Sequence, residues 1–132
     1  MVVADGQGVP LAGLTSSASP AEVTLAEEAL EEVPTGEAPT PLIADRAYDS
    51  DPLRARLLAK GWDLVCPHRR GRKRPATQDG RKLRRYRRRW KVERTMSWLH
   101  NFRRLVVRYE YYSNVFQAFI QMACIVICLR RF

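Results

Sequence analysis

The stretch Tyr86–His100, "YRRRWKVERTMSWLH", holds a single acid, Glu93, in the most basic part of the chain, and its periodicity sets how the rest is read. At about 100° per residue, Tyr86, Arg89, Glu93 and His100 fall within an arc of about 60° down one face. Val92, Met96, Leu99, Phe102 and Val106 fall on the other side and make an apolar stripe fit for a core. The spacing predicts one long helix from about Leu83 to Arg108, a break near "YEYYSN", and a last helix from about Val115 to Arg130. Taken alone, a glutamate among arginines is a solvated ion pair worth a few tenths of a kcal/mol. A face that also presents a phenol, a guanidinium and an imidazole is unusual company for such a pair.

Charge is divided along the chain. The 132 residues, enough for one domain or a piece of one, carry a net +9. Residues 1–45 hold eight carboxylates and no Lys or Arg, for −8, whereas residues 46–132 carry +17. A field of that sign draws a polyanion, nucleic acid or anionic lipid, before any contact forms. Cys66, Cys124 and Cys128 are an odd set in apolar runs, without the spacing of a disulfide framework, and read as buried thiols in a reducing cytoplasm. Met1 is not followed by the basic lead of a secretory signal. The run "VFQAFIQMACIVICL" (Val115–Leu129) spans fifteen residues and contains two glutamines. Crossing a bilayer takes roughly 20 apolar residues, so a buried C-terminal helix is expected and a membrane partner is not.

Ahead of the long helix the elements alternate. "MVVAD" and "GQGVPLAGLTS" predict a hairpin whose first strand ends on Asp5. "SPAEVTLAEEALEEV" predicts an acidic helix capped by Ser19, with Pro20 at its first position and Val23, Ala26, Leu30 and Val33 at helical spacing. After a loop, "PTGEAPT", the short apolar "PLIAD" predicts a strand that ends on Asp45. "SDPLRARLLAKG" predicts a helix capped by Ser50 or Asp51 and terminated at Gly61, and "WDLVCP" a further strand. Residues 68–82, "HRRGRKRPATQDGRK", have almost nothing to bury and read as a mobile basic loop, either a solubilising linker or a phosphate contact. Strands alternating with helices predict an α/β fold with a partly parallel sheet.

An aspartate at the carboxyl end of a strand lies where open α/β sheets build their sites, although aspartate also starts turns well. Asp5 and Asp45 both occupy such positions.

Tyr86, two residues, Arg89, three residues, Glu93, six residues and then a basic or polar residue resembles the C-terminal signature of bacterial insertion-sequence transposases of the DDE type, the IS4/IS5-type superfamily. "LIADRAYDSDPLRARLLAKG" looks like that family's second acidic block and "VVADGQGVPLAGLTSSASPAEVTLAEEAL" like its first, so the resemblance covers essentially the whole chain. The family usually has lysine where this chain has His100. Lysine is a fixed cation, whereas a histidine's charge depends on pH and on nearby phosphates that hold its proton.

The resemblance implies an RNase H-like mixed sheet flanked by helices, with a long C-terminal catalytic helix and a final apolar helix, as one catalytic domain over residues 1–132. It implies that Asp5, Asp45 and Glu93 hold two divalent ions, Mg²⁺ or Mn²⁺, for phosphoryl transfer on DNA. By the same likeness, Arg89 and His100 steady phosphate and Tyr86 packs or hydrogen-bonds nearby. Arg84, Arg85, Arg87, Arg88, Lys91 and Arg94 would follow the DNA backbone with salt-dependent, largely sequence-independent affinity. The expected partners are transposon ends and target DNA, with a homodimer as the active assembly at the bacterial nucleoid. Relative to the family, an N-terminal DNA-binding region and part of the first strand are expected to be missing. A remnant that binds DNA without cutting it is the alternative to an active enzyme.

Overall fold

The computed structural model describes residues 1–17, 19, 22–33, 41–78 and 80–131. Among these described residues, four strands and six α-helices run in the order β1 (Val2–Ala4), β2 (Pro10–Gly13), α1 (Glu22–Glu31), β3 (Pro41–Ile43), α2 (Asp51–Ala59), β4 (Asp63–Val65), α3 (Gly80–Leu83), α4 (Trp90–Leu99), α5 (Arg103–Val106) and α6 (Ser113–Leu129). Short 3-10 helices cover Arg46–Tyr48 and Arg84–Arg89. The fold is mixed α/β, with an antiparallel β1–β2 pair and a parallel β3–β4 pair as its two small sheets among the described residues. It divides into two compact units. One comprises β1, β2, most of α1 and everything from Trp90 onward; the other takes the start of α1, Glu22–Thr24, and runs from β3 through Arg89.

In the first unit β1 and β2 form the expected hairpin, with Val2 opposite Gly13 and an irregularity between Val3 and Ala4. β2 lies against α6 so closely that a Cβ at Gly13 would stand 2.6 Å from Ile120 Cγ2. Only glycine fits that approach. Gln117 on α6 completes the contact as a strand's peptide group would. Its amide Nε2 donates to Gly13 O, while its Oε1 accepts from Thr15 N at 2.8 Å and from Thr15 Oγ1 at 2.7 Å. One of the two glutamines in the apolar C-terminal run thus closes a strand edge that would otherwise leave backbone groups unpaired. Leu99, Ala123 and Ile127 are buried together, with Val2, Trp98, Phe102 and Leu105 packed around them. No helix among the described residues is long and apolar enough to cross a membrane.

In α1 the buried residues are Ala26, Ala29 and Leu30, so the acidic helix turns the expected stripe inward. The Pro20 position and the 34–40 loop lie outside the described residues. In the second unit, Ser50 is the cap of α2, its Oγ accepting from Leu53 N at 3.5 Å, and Gly61 ends that helix with φ +83°. Leu53 and Leu57 of α2 and Leu64, Val65 and Cys66 of the β4 region form the buried side of this unit.

Two expectations are corrected. The single helix over 83–108 is broken into α3, a 3-10 turn, α4 and α5. A 3-10 helix advances about 120° per residue, so one helical wheel cannot carry Tyr86 and Arg89 into register with Glu93 and His100. The apolar stripe shifts for the same reason. Met96 and Val106 are exposed, while α4 buries Thr95 and Leu99. The described part of residues 68–82, expected as a basic loop, carries ion-pair partners. It is tied into the second unit by these pairs and ends in the helical turn α3, where Lys82 Nζ reaches Asp63 Oδ2 at 2.9 Å.

Candidate functional site

Asp5 follows directly on β1 and begins a turn that its own carboxylate closes. Its Oδ1 accepts from Gln7 N at 2.7 Å and from Val9 N at 2.8 Å, and Asp5 N donates to Val9 O at 2.9 Å. The turn is then fastened to α4. Lys91 Nζ donates to Gly6 O, Arg94 Nη2 donates to Gln7 O, and Thr95 Oγ1 lies 2.6 Å from Gly8 O. Thr95 Oγ1 is also 2.9 Å from Lys91 O, but its one proton serves one acceptor at a time. Three consecutive carbonyls of the Asp5 turn therefore meet three donors on the helix that carries Glu93.

Glycine makes this possible at position 8. Gly8 has φ +83°, and a Cβ there would stand 3.1 Å from both Lys91 O and Arg94 Nη2 and 3.4 Å from Thr95 Oγ1. Thr95 is fully buried at 0% exposure, whereas Glu93, two residues earlier, is exposed. The helix thus turns one polar side chain inward to grip the turn and the acid outward. The Arg94 guanidinium also lies 4.9 Å from the Trp90 ring and 4.7 Å from the Trp98 ring. Lys91 and Arg94, expected on the DNA backbone, here hold the Asp5 turn.

Asp45 lies two residues beyond β3 and caps the 3-10 turn Arg46–Tyr48, its Oδ1 accepting from Ala47 N at 2.8 Å. Ala44 N donates to Val65 O at 3.1 Å, anchoring the start of this turn to β4. Its far end is anchored by Asp49, whose side chain is only 2% exposed. Asp49 Oδ1 meets Arg54 Nη2 and Arg72 Nη1 at 3.3 Å each and His68 Nδ1 at 2.9 Å, while Oδ2 accepts from Arg69 N at 2.9 Å. His68 Nε2 accepts from Thr77 N at 3.2 Å, which places the ring proton on Nδ1, facing Asp49. Arg72 Nη2 grips both oxygens of Asp51 at 2.8 and 2.9 Å.

Burial pushes the Asp49 carboxyl up, but the Arg69 N–H and the His68 and Arg72 side chains outweigh it and hold the group below its ordinary value. The Arg72 fork, with help from Arg74, likewise lowers Asp51. Asp49 was not singled out in the sequence. Its only signal there is position, four residues after Asp45 and ahead of a run of arginines.

The basic stretch Arg84–Arg89 is a 3-10 helix, in which residues three apart eclipse. Its exposure follows that period: Tyr86 and Arg89 are half-buried, and Arg84, Arg85, Arg87 and Arg88 are exposed. Arg89 Nη1 donates to the Tyr86 hydroxyl at 3.2 Å. The same 3-10 helix packs against β3, the strand that leads to Asp45. His100 is exposed just past the end of α4, with its N–H donating to Met96 O at 3.0 Å.

Asp5 and Glu93 thus belong to one unit, and Asp45 with Tyr86 and Arg89 to the other. Among the described residues no three His, Cys, Asp or Glu side chains are gathered as a metal site. The donor chemistry nevertheless fits a hard cation. All three acids supply carboxylate oxygens, and Asp5 and Asp45 are each oriented through Oδ1, with no hydrogen bond to Oδ2 among the described residues.

The sequence model of the family described as "Transposase DDE domain" matches residues 1–129. The chain is also 35% identical over 135 aligned positions to the Burkholderia cepacia protein named "Putative transposase for insertion sequence element IS402". That match covers 96% of this chain and 60% of the relative, so the chain spans about three fifths of the length of the protein it resembles. No solved structure matches it.

Proposed function

Given that the chain belongs to the family of transposase DDE domains, we propose that it is a catalytic core that cleaves DNA at insertion-sequence ends and joins the freed 3′-hydroxyl to target DNA. The observation that carries this reading is the locking of the Asp5 turn onto α4 through Lys91, Arg94 and Thr95, which ties two of the three acids into one rigid piece. A self-closed aspartate turn has no need of a helix to complete it. Fastening it to the Glu93 helix makes sense when the two carboxylates must keep a fixed separation.

In this reading the fold is RNase H-like, and Asp5, Asp45 and Glu93 would hold two Mg²⁺ or Mn²⁺ ions. Such ions, when bound, supply charge stabilisation at the attacking and leaving oxygens of an in-line displacement. The protein's own residues do the rest. Asp5 and Asp45 each keep one carboxylate oxygen in a turn, which fixes the direction of the other. Arg84, Arg85, Arg87 and Arg88 contact backbone phosphates as an exposed cationic surface. Arg89, braced by the Tyr86 hydroxyl, presents a pre-oriented guanidinium to a phosphate, and the exposed His100 adds a polar contact. No side chain has to form a covalent bond to DNA. The active assembly is a homodimer on paired ends.

The test is nicking of supercoiled plasmid DNA in Mg²⁺ or Mn²⁺, beside binding of the same DNA in chelator. Metal-dependent nicking that is lost in Asp45→Asn, with DNA binding retained, supports the catalytic reading. Metal-independent binding by the wild-type chain with no nicking in either metal overturns it in favour of a DNA-binding remnant.

A further inference from the structure

The loop after α5 inverts the usual rule of burial. Glu110 keeps its side chain at 6% exposure, while Tyr109, Tyr111 and Tyr112 are 76%, 89% and 67% exposed. Loops more often tuck rings away and leave carboxylates in water. Here the buried acid acts as a brace. Arg104 Nη1 meets Glu110 Oε1 at 2.8 Å, and Tyr109 N donates to Glu110 Oε2 at 3.2 Å. Arg108 donates to Glu110 O at 2.9 Å and to Tyr111 O at 3.1 Å. The same two arginines lie over rings of α6, Arg104 at 5.1 Å from Phe119 and Arg108 at 5.5 Å from Phe116. The backbone is thereby fixed with its three phenols outward, Tyr111 and Tyr112 edge to face at 5.2 Å. Beside Tyr109 lies an open concavity of about 620 Å³, lined also by His100, Arg103, Val106 and Val107.

We infer that this braced tyrosine loop is a stacking surface for unpaired nucleobases of a DNA strand, with Arg103 and His100 beside it for the phosphates. Exposed rings on a fixed backbone offer π faces to any base, and the flanking cations match a polyanion. A second copy of the chain would bring the same cations to the same face, which disfavours self-association there. The inference rests on the reading that the chain acts on DNA, but not on its cutting DNA.

Full-length chain is titrated with a 2-aminopurine-labelled single strand and with the same sequence annealed as a duplex. The double variant Y109A/Y111A is expected to weaken single-strand binding by at least about 5-fold and to lose quenching of the probe, because stacking contributes roughly 1–3 kcal/mol per base. Duplex affinity stays unchanged, and Y109F/Y111F, which keeps the rings, binds as wild type. Equal losses on both DNA forms, or none on either, overturn the inference. So does a fall in self-association, measured by sedimentation, with DNA binding intact. If the wild type binds neither form, the DNA reading itself fails; if it binds both and the variants do not matter, only the stacking surface does. Thermal melting monitors folding, and such exposed side chains leave it intact.

Discussion

The Asp5 and Asp45 turns present the same residue just beyond a strand, yet they are held by different forces. The Asp5 turn is gripped through its carbonyls by Lys91, Arg94 and Thr95, and its glycine lets the helix come close. The Asp45 turn is held at its far end by charge, through the buried Asp49 carboxylate and its Arg54, His68 and Arg72 partners. The clamp on the Asp5 turn is steric fit and hydrogen bonding to its carbonyls, whereas the brace on the Asp45 turn is a carboxylate hub held below its ordinary value. Equivalent positions in a sequence therefore need not respond alike to mutation or to pH.

The largest effect is expected at the hub. Asp49→Ala leaves the Arg54 and Arg72 guanidinium groups without their shared carboxylate in a largely buried place, and should lower stability to urea by about 3–5 kcal/mol. The pH dependence follows from the sign of the shift. Asp49 is held below its ordinary value, so its contribution is complete above the unfolded carboxylate range and is lost as pH falls through the lowered folded value. The stability gap between wild type and Asp49→Asn should accordingly close below about pH 4. A gap that persists unchanged in acid would abolish the contrast between the two turns.

Next comes Gly8→Ala, which combines a left-handed backbone with a crowded Cβ and should cost about 2–4 kcal/mol in thermal unfolding at any pH between 4 and 8. Thr95→Val keeps the shape but removes the hydroxyl, leaving Gly8 O without its buried partner. A loss of about 1–2 kcal/mol is expected, with faster amide exchange at Val9 as the local readout. The smallest effect belongs to Arg74→Ala. Arg74 is 74% exposed and reaches Asp51 at 3.3 Å, so stability should move by less than about 0.5 kcal/mol. A large loss there would mean that exposed pairs on the basic segment matter as much as the buried hub.

Much of this was legible from local pattern. The β1–β2 hairpin, the Ser50 cap and Gly61 stop of α2, and the presence of a C-terminal helix follow from turn residues, capping chemistry and hydrophobic period, all of which act over a few residues. The expected burial of that helix does not hold, since α6 buries Ala123 and Ile127 but leaves Val115, Met122, Ile125 and Leu129 exposed. The tyrosine–arginine pair at 86 and 89 was also visible, although the reason they meet is a 3-10 rise and not the assumed α-helical one. The continuous helix over 83–108 is not formed. Six residues with five arginines, "RRYRRR", have helical propensity but no apolar face whose packing would hold them in α-helical register.

By itself, then, the sequence determined the order of elements, the split of charge between −8 and +17, and the family to which the acids belong. Tertiary structure alone decided which polar groups serve as scaffold. Thr95, Arg94 and Lys91 could each have faced solvent or DNA, and Asp49 could have been another surface acid. What settled their roles was the meeting of residues up to 87 positions apart, where a buried donor or carboxylate is stable only once its partner arrives.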